Sequence, residues 1–469
     1  MDGLAISYVD LNNSRLLEKM DSLKKGTPVI VANGQPFEKA NVISKKEIDF
    51  YIGLDGNVGF AAEQGVVPIV HANAGCAIQN YLANQASGVG NGYVNGYSIP
   101  GTDSQERHII FGGGSRLREQ IKNTVKVVNG DLYIVLNSCE SAMVGDDVDA
   151  MTREAAEQGE PVIDSLTAGF HGDSHYGYEC VVSDILRKLP AIRKSGEEKE
   201  ADLVNIFGIL PKKDIYFKGD LAEVKRILQG IGLKVNTFFG PQNGIEEFVK
   251  APNASLNLVF SSIPTGIKEV KEFVRTLSKA ISLNEEQVHR FLEKEEEVFY
   301  YYFRGIVDSY YEDNVGKIVG IVGDESTVIR TAAFLKEYLG AIVETAVITD
   351  FFPSDELPRD KKAEELSGLA EELYFTQDGK EIRNILNHSE AELILGSSLE
   401  DQITNKREIP NLKISYPVYG RTILNKTYAG IQGAFTFTED YISKVKESNQ
   451  LRKIGFRSER KCGLTVQTA

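Results

Sequence analysis

The sequence predicts an α/β protein built from three parallel-sheet domains, and three observations carry that prediction. From Ile48 onward, short Val- and Ile-rich runs alternate with glycine-bearing turns and amphipathic stretches, the rhythm of successive βα units. The chain of 469 residues has room for roughly two to four domains. Two breaks in composition divide it, the charged stretch Arg193–Glu200 and the polar stretch Glu312–Asn314, and a fresh βαβ pattern opens after each.

Taken in order, residues 1–44 read as an N-terminal extension with one helical stretch at Ser14–Lys25. Residues 45–195 form the first α/β domain, with strands at Gly65–His71 and Asp131–Asn137 and helices at Arg116–Lys122 and Val181–Leu189. Residues 200–280 form the second, with strands at Asp202–Ile209, Leu233–Phe238 and Leu256–Ser261 and helices at Leu221–Gly230 and Ile267–Ala280. Residues 281–314 hold a long connecting helix, Asn284–Tyr311. Its acidic run Glu293–Glu297 reads as a solvated face, and its aromatic run Phe299–Phe303 as core or interface packing rather than a ligand stack. Residues 315–435 form the third domain, with strands at Lys317–Val322, Ala341–Thr349, Glu392–Gly396 and Leu412–Tyr416 and helices at Glu325–Leu339 and Lys380–Leu386. Residues 436–469 give a C-terminal helix and a basic tail, Arg452–Lys461, which reads as a solvated terminus.

Composition excludes several classes. With 52 basic against 67 acidic residues the net charge is -15, so the basic footprint of a nucleic-acid binder is missing. No apolar run approaches the roughly 20 residues of a membrane span, and the first residues lack a signal-peptide pattern, so a cytoplasmic protein with no membrane partner is expected. The four cysteines, Cys76, Cys139, Cys180 and Cys462, include no CxxC pair. They are expected to stay reduced, and any metal site must gather scattered ligands or share them with another chain. There is no GxxxxGK[ST], GxSxG or HExxH, so ATP hydrolysis through a P-loop is not expected of this chain.

Cys76 (HANAGCAIQNY) and Cys139 (LYIVLNSCESAMVGDD) each follow a strand and open a helical pattern. Both thiols therefore fall at carboxyl ends of parallel strands, where open α/β sheets place ligands. A helix N-terminus favours thiolate over thiol, which suits a metal ligand or a nucleophile. The alternative is a pair of small buried apolar thiols. Cys180, within an apolar helix, reads as core. Phe111–Ser115 (FGGGS) precedes a helix and allows close backbone approach to an anion or cluster, or is simply a tight turn. Gly169–Tyr178 (GFHGDSHYGY) reads as a functional loop whose His171 and His175 are candidate ligands or proton donors. Val319–Ser326 (VGIVGDES) is another strand–glycine–helix turn, open to a nucleotide or to plain packing.

Several of these stretches, in order, resemble component 1 of the nitrogenase superfamily. They are PIVHANAGC (Pro68–Cys76), the FGG of Phe111–Gly113, SCESAMVGDDVDAM (Ser138–Met151) and TAGFHGDSHYGY (Thr167–Tyr178). Pro264–Lys268, Ala391–Ser397 and Ile414–Gln432 look like the second half of that family, so the resemblance runs over about positions 45–435. It implies three Rossmann-like α/β domains, and a pairing of two related subunits around an interfacial iron–sulfur cluster. It also implies a separate ATP-hydrolysing iron protein that docks and delivers electrons.

Carried over by position, Cys76 and Cys139 look like two of the three cluster cysteines of such a subunit, with His71, Gly75, Gly112 and Gly113 lining the cofactor. The remaining cysteine position falls at Tyr51, and the serine that serves an eight-iron P-cluster falls at Gly169. The resemblance therefore implies a [4Fe–4S] cluster rather than a P-cluster. Its ligands would be completed by a partner, or lent by an oxygen of Tyr51, Asp49 or Asp55. The partner would be a homologous α-type subunit or a second copy of this chain. Tyr416–Gln432 contains no histidine, and no cysteine lies between Cys180 and Cys462, so ligands for a molybdenum cofactor are missing. The chain looks like a β-type subunit, or one of the nitrogenase-like reductases that act on tetrapyrroles or thioethers or serve cofactor assembly. Three readings follow: a redox subunit, a scaffold for metallocluster assembly, and a metal-free small-molecule binder.

Overall fold

The computed structural model describes residues 29–31, 66–76, 100–128, 130–192, 199–211, 213–237, 245–306, 316–350 and 366–447. The stretch Ser14–Lys25, Tyr51 with Asp49 and Asp55, and Cys462 lie outside them. Among the described residues every paired strand is parallel, in three sheets. The fold is the mixed α/β architecture that the alternating pattern predicts.

The first sheet has the order β2–β3–β4, from β2 (Val66–His71), β3 (Leu132–Asn137) and β4 (Val162–Ser165). All three strands are buried along their length, as strands covered on both faces must be. Pro68 sits inside β2 without breaking the sheet, because β2 pairs fully with β3 on one side only. Helices α1 (Glu106–Phe111), α2 (Gly114–Val127), α3 (Cys139–Val144), α4 (Val148–Glu157) and α5 (Ser174–Ile192) accompany these strands. Strand β4 escapes the sequence pattern because its four residues, VIDS, are half polar, with Asp164 and Ser165 buried in it.

The second sheet is β1–β7–β5–β6, from β1 (Val29–Val31), β5 (Glu200–Phe207), β6 (Lys234–Thr237) and β7 (Ala254–Val259). Its edge strand β1 comes from the stretch read as an N-terminal extension, which thus contributes to a sheet some 200 residues downstream. Helices α6 (Phe217–Gly230), α7 (Ile245–Lys250), α8 (Ile267–Ala280) and the long α9 (Glu285–Gly305) complete this part.

The third sheet is β10–β9–β8–β11–β12, from β8 (Ile318–Gly323), β9 (Ile342–Ile348), β10 (Glu372–Phe375), β11 (Leu393–Gly396) and β12 (Asn411–Lys413). Chain order reverses at β8/β11, the point where open α/β sheets leave a crevice at their carboxyl ends. Helices α10 (Glu325–Leu339), α11 (Gly379–His388), α12 (Asp401–Arg407) and a last helix, α13 (residues 430–447), flank it. Helix α13 begins within the stretch assigned from sequence to the third domain.

The second and third sheets share one apolar core, in which Phe217, Phe260, Phe299, Phe334 and Tyr441 are buried. Two carboxylates of α6 lock the junction. Asp220, wholly buried, pairs with Arg330 at 2.9 Å and accepts the backbone N–H groups of Tyr428 and Ala429. Glu223 accepts the N–H groups of Ile431 and Gln432 at the start of α13, where a negative charge suits the helix dipole. A second core joins the first sheet to the second, with Leu132, Ile134 and Val182 packed beside Phe207 and Phe248.

Candidate functional site

The candidate site lies where β2 and β3 end side by side. After His71 the chain turns through Ala72 and Asn73, and a helical turn at residues 74–76 carries Cys76. The Asn73 side chain shapes that turn: its Oδ1 accepts the Cys76 N–H at 3.1 Å. Strand β3 ends at Asn137, Ser138 caps α3, and Cys139 is the first residue of that helix. The cap is reciprocal, since the Ser138 N–H donates to Ser141 Oγ at 3.0 Å and the Ser141 N–H to Ser138 Oγ at 3.3 Å.

Two contacts tie the cysteine turns to each other. Asn73 Nδ2 donates to Glu140 Oε2 at 2.6 Å, and the Ser141 hydroxyl donates to the carbonyl of His71 at 3.0 Å. Both thiols are half-buried. The Cys139 sulfur accepts a hydrogen bond from the Gly169 N–H at 3.1 Å. A β-carbon at Gly169 would lie 3.3 Å from that sulfur, a tight approach. The loop that brings Gly169 here is anchored by Thr167, whose N–H donates to Asn137 Oδ1 at 2.8 Å.

His71, expected beside a cofactor, is placed underneath the site instead. Its ring is wholly buried, with Nδ1 3.1 Å from Thr102 Oγ1 and Nε2 3.0 Å from Asp146 Oδ2. Burial pushes its pKa below the ordinary value and outweighs the Asp146 carboxylate, which pulls it up. The imidazole is therefore neutral at pH 7. Its Nε2–H donates to Asp146 and its Nδ1 accepts from Thr102.

The other oxygen of Asp146 accepts the Gly113 N–H at 2.7 Å. Gly112 caps α1 at φ +90°, a conformation open to glycine, and Gly113 packs directly on the pair. A β-carbon there would meet Asp146 Oδ2 at 2.6 Å and His71 Cε1 at 2.9 Å. The glycine run thus folds over His71 and Asp146, and its backbone serves them rather than an open anion hole. Gly75 lies in the Cys76 turn, on the solvent side.

Several large apolar side chains are exposed on the elements that carry or adjoin Cys139. Phe111 is 86% exposed and Met143 74%, and Ile109, Ile110, Leu166 and Phe170 are exposed as well. Single exposed apolar residues are ordinary; here several fall together on α1, α3 and the loop bonded to Cys139.

The remaining motifs resolve differently. His171 is exposed, whereas His175 is buried, 3.4 Å from Asp350 beyond β9, so the two histidines do not meet at one ion. Burial holds His175 well below its ordinary value and Asp350 well above. The GDES turn after β8 is filled by the protein's own carboxylates. Asp324 accepts the Thr327 N–H at 2.8 Å and Asp350 accepts the Glu325 N–H at 2.5 Å, which leaves no cradle for a phosphate. Phe299 is buried and stacks on Phe303, while Tyr300, Tyr301 and Tyr302 face solvent. Cys180 is core. Asp146, Thr102 and Asn137 were not singled out from sequence; the one signal for Asp146 was its place in GDD, directly after a helix-ending glycine.

The donor set fits a soft metal centre: the sulfurs of two half-buried thiols suit iron–sulfur rather than a hard cation. Among the described residues no three His, Cys, Asp or Glu side chains converge to hold a metal ion, so this set alone is half of what a four-thiolate cluster takes.

The fold and site thus define a parallel α/β protein with paired thiols at adjacent strand ends, framed by an apolar surface. The family model "Nitrogenase component 1 type Oxidoreductase" matches residues 58–263 and 259–446, and the chain belongs to that family. Among curated proteins it is 26% identical over 215 residues to the nitrogenase molybdenum-iron protein alpha chain of Methanosarcina barkeri, covering 45% of this chain and 39% of that one. It is 30% identical over 195 residues to the nitrogenase iron-molybdenum cofactor biosynthesis protein NifE of Clostridium pasteurianum, covering 41% and 40%. The matches thus span about two fifths of the length of these relatives. A solved structure titled "Nitrogenase Cp1 at pH 6.5" superposes with a TM-score of 0.66 at 17% identity, over 91% of this chain and 96% of that one, which is a likeness of fold. Among the described residues no helix is long and apolar enough to cross a membrane.

Proposed function

We propose that this chain is a β-type subunit of a nitrogenase-like reductase, holding a [4Fe–4S] cluster through Cys76 and Cys139 at an interface with a second subunit. The observation that carries the reading is the pair of cysteine turns, hydrogen-bonded to each other through Asn73 and Glu140 and bordered by exposed apolar side chains. Two thiolates from each of two subunits make the four that such a cluster takes. The partner is a homologous α-type subunit or an identical chain, in the cytoplasm. An ATP-hydrolysing iron protein is the electron donor, in keeping with the lack of a P-loop here.

When bound, the cluster supplies one-electron redox chemistry at low potential. This chain's part is to present two thiolates, to donate the Gly169 N–H to one of them, and to keep water away with Phe111, Met143 and Phe170 once a partner covers them. Gly169 has no side-chain oxygen, which argues against an eight-iron P-cluster. The β-type assignment rests on the missing histidine in Tyr416–Gln432 and the missing cysteine between Cys180 and Cys462.

A second reading, a scaffold for metallocluster assembly, is favoured by the likeness to NifE. Both readings expect iron. Protein purified without oxygen should carry about two irons per chain and, reduced, show the EPR signal of a [4Fe–4S] cluster shared by two copies. Cys139→Ala should abolish that iron, and unchanged iron in the variant sinks the cluster assignment. Reduction of the cluster by an added iron protein with ATP supports the reductase. Iron that is passed to an acceptor protein and never reduced by the iron protein supports the scaffold.

A further inference from the structure

The stretch Gly169–Tyr178, with its two histidines, forms a wedge where elements of all three sheets meet. Its last residues open α5, and two of them reach beyond the first sheet. The Tyr178 phenol oxygen accepts the N–H of Gly208, directly after β5 of the second sheet, at 3.0 Å. The buried His175 ring lies with Nε2 3.4 Å from Oδ1 of Asp350, just beyond β9 of the third sheet. Asp173 turns back to accept the His175 N–H at 2.9 Å, which fixes the first turn of α5.

The charges around the His175–Asp350 contact are unbalanced. Asp350 faces Asp324 and Glu325 at the start of α10, and Asp173 just ahead of α5; all four acids are buried. Lys213, from the stretch before α6, faces His175 and opposes a positive charge there. The nearby cation Arg330 is committed to Asp220 at 2.9 Å. Backbone groups support two of the acids, the Thr327 N–H on Asp324 and the Glu325 N–H on Asp350. Four buried acids side by side do not all ionise at neutral pH, because each charge raises the cost of the next. Burial, with Asp324 and Asp173 adding to it, pushes Asp350 well above the ordinary carboxyl range. Burial, with Lys213 adding to it, holds His175 well below its own. The proton of the pair therefore sits on Asp350, whose O–H donates to His175 Nε2.

We propose that His175 and Asp350 form a latch between the first and third sheets, closed while the pair holds one proton and released when that proton leaves at alkaline pH. While closed, it seats the first turn of α5 against the carboxyl end of β9. Loss of the proton adds a buried charge to the acids already there, and that charge regains water only if the contact opens. A carboxyl held above its unfolded value stabilises the fold fully below that value, and the contribution fades as pH rises through the folded one. A base held below its unfolded value, about 6.5 for histidine, costs stability as pH falls beneath it. The latch thus has an alkaline limit set by Asp350 and an acid limit set by His175. Because Gly169 belongs to the same stretch, the latch also steadies the residue whose N–H bonds the Cys139 sulfur. No cluster at that sulfur is needed for the latch to work.

The test uses the full-length, iron-free chain carrying Asp214→Asn, so that the titration of Asp214 does not intrude. Amide hydrogen exchange, corrected for its intrinsic dependence on pH, is followed from about pH 6 to about pH 10. The His175 N–H on one side of the latch and the Glu325 N–H on the other should lose protection together. The loss should run at about tenfold per pH unit once the pair titrates. Ile134, in the middle of β3, should stay protected, because the opening is local. Asp350→Asn should flatten the dependence at both amides. Its oxygen still accepts the Glu325 N–H, its amide still donates to Nε2, and it has no proton to lose. Asp350→Ala, which can do neither, should lack the protection at every pH.

A flat profile with Asp350 in place, an undiminished dependence in Asp350→Asn, or loss of protection on one side alone would overturn the proposal. If Asp350→Asn does not fold, the infrared C=O band of a protonated carboxyl decides. It should be present at neutral pH and fade over the range in which protection is lost. Its absence at neutral pH, or a fade out of step with exchange, overturns the latch equally. Iron enters none of these readouts, so the cluster reading and the latch can fail separately.

Discussion

At the end of β3 the chain enters a helix through Ser138, and at the end of β8 it enters another through Asp324. The topology is the same, a parallel strand feeding a helix at the carboxyl edge of a sheet, yet the two ends carry different chemistry. In the first sheet the helix opens on a half-buried thiol that accepts the Gly169 N–H, and the surrounding residues are apolar and exposed. In the third, the helix opens beneath two buried carboxylates, Asp324 and Asp350, with Asp214 and Arg330 close by. At one end the thiol and its apolar neighbours stay partly open to solvent; the other spends its polar groups on the protein itself. A βα turn supplies a position, and the side chains placed on it decide whether that position is a site.

If the third-sheet end is a structural lock, the largest effect should come from breaking it. Arg330→Ala leaves Asp220 buried without its cation, a loss of about 3–5 kcal/mol. Thermal unfolding should show the second and third sheets melting early. Cys139→Ala in the iron-free chain removes a half-buried thiol and should cost no more than about 1 kcal/mol. Equal costs for the two variants would erase the contrast.

The next effect is one of pH. Burial, with Asp324 adding to it and Arg330 opposing, pushes the Asp214 carboxyl up to about 7. A folded-state value above the unfolded one, about 3.9, means that the folded chain holds a proton the unfolded chain has released. The contribution is fully present below the unfolded value and is lost as pH rises through about 7. Asp214→Asn keeps an acceptor for the Leu210 N–H and carries no titrating group. Its urea midpoint should match wild type near pH 4 and exceed it near pH 8. A wild-type midpoint that rises between those values, relative to the variant, contradicts the assignment.

Much of this was legible beforehand, and unevenly. The apolar runs of β2, β3, β8 and β9 mark themselves because both faces are buried, and α8 and α10 end where glycine or periodicity ends them. Strands β4 and β10, four residues each, and β1, three, went unmarked, whereas the equally short β6, β11 and β12 lie within or overlap longer stretches that carry the strand pattern. The thiol turns were readable from strand–turn–helix spacing. The contacts that make them a site were not, since Asn73 with Glu140 and His71 with Asp146 lie 67 and 75 residues apart. His71 shows the limit most plainly: its motif marks the right neighbourhood, and only its buried ring reveals that it holds the site up rather than facing it.

The smallest expected difference separates the two helix caps, and it tests the comparison at its root. Asp324 accepts the Thr327 N–H at 2.8 Å and caps a 15-residue helix with many buried side chains, among them Val328 and Leu335. Ser138 accepts the Ser141 N–H at 3.3 Å and caps a helix of six residues. Asp324→Ala should cost about 1–2 kcal/mol and Ser138→Ala about 0.5 kcal/mol, both read from urea unfolding. The charged cap has the shorter bond and the longer helix dipole to act on, whereas the serine cap has a weaker bond and a short helix. Their order should reverse for iron. Ser138→Ala loosens the residue immediately before Cys139 and should lower iron per chain, while Asp324→Ala should leave it unchanged. A serine cap that proves the costlier of the two for stability, with iron unaffected, would make the thiol turn a structural element like its counterpart, and the distinction between the two sheet ends would have to be given up.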